Sequence, residues 1–140
     1  MLKNIPASIS PELLKLLSEM GQGDELLIAG ANYPAKSMGI ERVCGVFAPA
    51  EKILEDVLKL IPLSEEVACA TMYFEEDEQS DACERYTNII KRSEESEKMQ
   101  KIDRLDKYPF SNRAGKVYLA IVSNDVKSGG EIILTKGAVR

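Results

Sequence analysis

The sequence predicts an α/β sandwich with a central, mostly parallel sheet covered by helices on both faces, and three observations lead there. The chain opens with a capped helix that runs through one turn into an apolar strand, SPELLKLLSEMGQGDELLIA. Apolar runs of strand length then alternate with amphipathic runs of helix length. One of the strand-like runs, Val67, Ala68, Cys69 and Ala70, is apolar throughout, as strands buried on both faces of a parallel sheet are.

Each element has a local reason. Ser10 can accept hydrogen bonds from the free N–H groups of the first turn, Pro11 suits the first helical position, and Gly21 or Gly23 can supply a left-handed exit. The first helix is therefore expected over residues 11–20, with Leu13, Leu14, Leu16, Leu17 and Met20 as its apolar stripe. Glu25–Ala29 reads as a short buried strand. Polar groups in the turn 21–25 and in the segment 30–33 then lie near strand ends, where open α/β sheets bind ligands. Residues 34–39 read as a short helix or a turn and lead to a strand near 42–47. Pro49 restarts a helix, in which Ile53, Leu54, Val57, Leu58 and Ile61 recur at three- and four-residue spacing until Pro62 stops it.

A strand is expected at 67–74, then an acidic loop and a helix over 80–97 with Tyr86, Ile89 and Ile90 on its apolar side. The polar tail 93–100 is a solvated helix end or a loop. Ile102–Leu105 reads as a short strand, 109–115 as a helical turn, and 117–123 as a strand. A Gly-rich turn leads to a last strand at 131–135, expected to pair with its predecessor as a closing hairpin. No repeat or linker interrupts residues 1–140, which read as one domain.

Composition narrows the function. With 44% hydrophobic and 29% charged residues the chain has the make-up of a globular protein, and no run approaches the ~18 apolar residues that span a bilayer. The first residues lack the apolar core of a signal peptide, so a cytoplasmic location is expected. A net charge of −5 and a pI near 4.9 argue against nucleic acid. Cys44, Cys69 and Cys83 are widely spaced, and the chain has no histidine, so they read as ordinary thiols rather than a zinc site. Glu75, Glu76, Asp77 and Glu78 lack the spacing and central glycine of a calcium loop. Ser37 and Ser111 have no histidine to activate them, which excludes a serine hydrolase. No metal or cofactor is called for.

Four blocks carry a family resemblance: the opening helix and turn, Tyr33-Pro34-Ala35 with Ser37-Met38-Gly39, the run YPFSNRA from Tyr108, and IILTKG from Ile132. In these the chain resembles the L-fucose mutarotase and D-ribose pyranase family over its whole length. The resemblance implies a sugar partner and a ring-shaped assembly, commonly a decamer, in which neighbouring subunits complete each site. It also marks where the chain departs from the family. Gln22 stands for the turn histidine taken as the family's acid/base group, Gly30 for an aspartate that holds sugar hydroxyls, and Asn32 for another histidine. Lys107 replaces an arginine, Ser111 a tyrosine, and Gly129-Gly130-Glu131 the pattern Tyr-x-Asn.

The residues themselves bound the chemistry. Opening a sugar ring requires a proton to leave the anomeric hydroxyl and another to reach the ring oxygen. Gln22 can orient a hydroxyl but cannot titrate near neutral pH. Glu131 brings a carboxylate whose pKa partial burial would raise; as a plain strand-end charge it would do nothing. Asp24 is either a backbone cap or a catalytic acid. Lys107 keeps a positive charge without the planar fork of arginine. Gly129 and Gly130 either open room for a bulkier ligand or form a hairpin connection. The expected site thus gathers Gln22, Asp24, Lys107 and Glu131 beside the 30–33 loop at one pocket edge, with Gly30, Asn32, Ser111 and Gly129 as further contacts. Two functions follow: a mutarotase with reassigned acid/base residues, or a catalytically inactive member that binds a ligand or serves assembly.

Overall fold

The computed structural model describes residues 2–72, 82–98, 102–126 and 130–139. Ten elements occur in the order α1 (Pro11–Glu19), β1 (Glu25–Ala29), β2 (Val43–Gly45), α2 (Ala50–Leu58), β3 (Cys69–Met72), α3 (Ala82–Lys91), β4 (Ile102–Leu105), α4 (Lys107–Ala114), β5 (Leu119–Val122) and β6 (Ile132–Thr135). The strands form one sheet in the order β2-β5-β1-β6-β3-β4. Only β6 runs antiparallel to its neighbours; the β1–β5, β2–β5 and β3–β4 pairs are parallel.

The local signals explain α1 and β1. The Ser10 side chain accepts from the Leu13 N–H at 3.1 Å, and Pro11 occupies the first helical position. The helix ends on an extended Met20, and the left-handed residue of the turn is Gly23, with φ of 91°, not Gly21. Leu13, Leu17, Leu26 and Ile28 then meet Ile53, Leu54 and Val57 of α2 and Tyr86 and Ile90 of α3 in one core. A second core on the opposite sheet face joins Leu27, Ala29 and Ile133 to Phe110 and Ala114 of α4 and to Ala35 and Ile40 of the 34–40 turns. Both sheet faces are therefore covered, as a mostly parallel sheet requires.

Three expectations are corrected. The closing hairpin does not form: β1 lies between β5 and β6, and β6 is inserted between β1 and β3. Its four residues are buried on both faces, which an edge strand of a hairpin would not be. The third helix is shorter than 80–97, because the chain leaves the helix after Lys91 and Glu95 folds back to accept the Leu63 N–H at 2.6 Å. The fourth helix starts at Lys107, two residues before Pro109. The acidic loop and Gly129 lie outside the described residues.

Candidate functional site

Because β6 is antiparallel to β1, its start lies at the same sheet edge as the C-terminal ends of the parallel strands. The register Ile28↔Ile132, continued by two residues, sets Gly30 opposite Gly130 and places Glu131 beside the end of β1. The segments after β1 (30–33), β4 (Lys107 and Ser111 on α4) and β5 (123–125) converge on that edge.

Glu131 is the centre of this edge. It is 5% exposed, and its Oε2 is buried with no hydrogen-bond partner. Burial pushes its carboxyl above the ordinary value, and backbone N–H groups of Glu131, Gly30 and Gly130 oppose the shift. The plain reading as an exposed strand-end charge does not hold. Around it stand two tyrosines. The Tyr86 hydroxyl, delivered from α3, donates to the Gly130 carbonyl and fixes the peptide preceding Glu131. Tyr33, half-buried in the loop after β1, has a buried hydroxyl without a completed hydrogen bond. Burial and then the nearby Glu131 charge raise its pKa, while the Ser111 hydroxyl acts in the opposite sense. Burial and Glu131 likewise raise that of Tyr86. Asp125 closes the edge by accepting the Ala50 N–H at 2.8 Å at the start of α2, and its own carbonyl accepts the Ala31 N–H at 2.7 Å.

The sequence-derived residues divide between two places. Gly30, Asn32, Lys107, Ser111 and Glu131 lie at this edge: Gly30 buried, Ser111 half-buried, Asn32 and Lys107 exposed. Gln22 and Asp24 lie at the other edge, where Gly23 N–H bonds to the Lys136 carbonyl and Lys136 N–H to the Asp24 carbonyl. The four residues of β6 separate Lys136 from Glu131, a span of five extended steps or roughly 17 Å. Within one subunit the expected single pocket edge is therefore not formed. Asp24 acts locally, its carboxylate accepting the Gly21 N–H at 2.7 Å and closing the turn. Gln22 is exposed and lines a small cleft with Ser64, Glu65, Glu66 and Lys98. Tyr86 and Asp125 escaped the sequence reading. The only signal was a tyrosine in an apolar helix stripe, since a buried phenol requires a polar partner.

Among the described residues no group of three or more histidine, cysteine or acidic side chains is arranged to hold a metal ion. No helix among them is long and apolar enough to cross a membrane.

A family model described as the RbsD / FucU transport protein family matches residues 3–139. The chain belongs to this family. Among its RbsD/FucU relatives, an L-fucose mutarotase of Actinobacillus pleuropneumoniae is 33% identical over 98% of this chain and 96% of its own length. The human fucose mutarotase is 35% identical over 99% of this chain and 94% of its own. The crystal structure of the Streptococcus pneumoniae fucose mutarotase in complex with L-fucose superposes with a TM-score of 0.88 at 32% identity, covering 99% of this chain and all of that one.

Proposed function

We propose that this RbsD/FucU chain binds a monosaccharide and interconverts its anomers, with Glu131 moving the protons. The observation that carries the reading is the buried Glu131 carboxyl, unpartnered at Oε2, in a chain that has no histidine. Burial raises the carboxyl above its ordinary value and so favours the neutral acid from which ring opening starts. The neutral acid donates its proton to the ring oxygen. The bond from the anomeric carbon to that oxygen then breaks, its electron pair passing to the oxygen. The carboxylate so formed takes the proton that leaves the anomeric hydroxyl as the carbonyl forms. Glu131 ends in its starting state, the open chain turns about its first carbon–carbon bond, and the reverse sequence closes the other anomer.

L-fucose is the first sugar to test, because the relatives above bear its name. Assembly belongs to the same reading: a homo-oligomer, a decamer by family resemblance, acting in the cytoplasm. In it the Gln22 edge of one subunit would face the Glu131 edge of another, so that Gln22 orients a hydroxyl without titrating. The missing histidine favours a second reading, a family member that binds a ligand or serves assembly without catalysis. Saturation-transfer NMR between the two anomers, run over a panel of reducing sugars, separates the two. A mutarotase accelerates exchange of at least one sugar above buffer, and a non-catalytic binder accelerates none. Light scattering should give a mass several times 15.5 kDa.

A further inference from the structure

We propose that Tyr33 is a second sugar-contacting catalytic residue, donating its phenolic hydrogen bond to the same anomeric oxygen whose proton passes to Glu131. The inference rests on the mutarotase reading and adds a residue to it. Its basis is a pair of unmet needs at one sheet edge. The Tyr33 hydroxyl and Glu131 Oε2 are both buried and neither has a hydrogen-bond partner. Leaving a buried polar atom unpaired is costly, so two such atoms at one strand end require an explanation. The Tyr33 N–H bonds to the Gly30 carbonyl at 3.1 Å, and the register sets Gly30 opposite Gly130, next to Glu131, so both residues stand at one strand end, yet they do not bond to each other.

The group that satisfies both at once is one that accepts from a phenol and donates to a carboxyl oxygen, and a sugar hydroxyl does both. Burial keeps the phenol protonated at neutral pH, so Tyr33 serves as a donor and does not exchange its proton. As the anomeric oxygen loses its proton and becomes a carbonyl, this donor stabilises the charge developing on it. By microscopic reversibility the same hydrogen bond polarises the carbonyl when the ring recloses. Protein covers both atoms. The Tyr33 side chain as a whole is only half-buried and stands in a loop beside exposed Ala31, Asn32 and Pro34. The Ser111 hydroxyl on α4 is a further polar neighbour of the phenol.

Tyr33→Phe removes the hydroxyl and nothing else. Exchange of the preferred sugar should fall about 10²-fold, in kcat more than in KM, as for loss of one donor to a developing oxyanion. The thermal midpoint and the assembled mass should not fall, since the deleted group had no partner. Combined with Glu131→Gln, the loss should be smaller than the product of the two single losses, because both groups act on one oxygen. Exchange and sugar affinity within twofold of wild type in Tyr33→Phe would overturn the assignment and leave the mutarotase reading standing. A wild-type protein that binds and exchanges no sugar would remove that reading first, and this one with it. If Tyr33→Phe fails to assemble, fluorotyrosine incorporated at position 33 of the full chain gives the answer by ¹⁹F NMR. Saturating L-fucose should shift its resonance, and an unmoved resonance at saturation overturns the contact.

Discussion

Glu131→Gln separates two consequences of one buried carboxyl. The substitution keeps shape and an acceptor for the backbone N–H groups that approach residue 131, but removes the titratable proton. If Glu131 moves the protons, anomer exchange falls by roughly 10² to 10⁴. Stability should move the other way. Glu131 has a folded pKa above its unfolded value, so the folded chain binds its proton more tightly. That contribution is fully present below the unfolded value, about 4.3 for a glutamate, and is lost as pH rises through the folded pKa. Each unit of elevation corresponds to about 1.4 kcal/mol. A glutamine amide resembles the neutral acid, its N–H₂ standing where the acid has its O–H, so the variant does not lose this stability. Urea unfolding should therefore find Glu131→Gln more stable than wild type at pH 8, with the gap closing toward pH 4. Exchange within a few-fold of wild type would refute the proton-transfer role. A gap that widens as pH falls would refute the burial argument.

Two further expectations concern the framework. A Cβ on Gly137 would lie 2.3 Å from the Leu63 carbonyl oxygen, where two backbones cross and neither can yield. Gly137→Ala should cost about 1 to 3 kcal/mol in urea unfolding, and an unchanged midpoint would show that the crossing relaxes. Burial pushes the Cys69 thiol up to about 11, so alkylation at pH 8 should leave it unmodified by mass spectrometry until the protein is unfolded.

Much of the fold was legible because its signals are local. Ser10, Pro11 and the leucine stripe located α1, the apolar run over residues 26–29 located β1, and the expected strand at Ile102–Leu105 has the bounds of β4. The hairpin expectation failed because strand order is a long-range property. A Gly-rich connection shows that the chain turns, not which strand it then joins. The unbroken apolar run Ile132-Ile133-Leu134 was the available sign of an interior strand, buried on both faces. The site was legible in part for the same reason. Glu131 stood out as a carboxylate in a neutral family position, but its polar neighbours Gly30, Tyr33 and Tyr86 come from two segments distant in sequence, the loop after β1 and α3. Gln22 and Asp24 were grouped with it because the family resemblance brings the first-strand turns and the C-terminal connection together at one site. The length of β1 puts them at the far edge instead.

The most direct measurement is the pH–rate profile of anomer exchange for the wild-type protein on its preferred sugar, between pH 4.5 and 9. Ring opening begins from the neutral Glu131 acid, so kcat should fall as pH rises through that group's raised pKa, and the Glu131→Gln residual rate should show no such fall. A wild-type rate that is flat across the range, or that climbs with pH, would contradict Glu131 as the proton-transfer group.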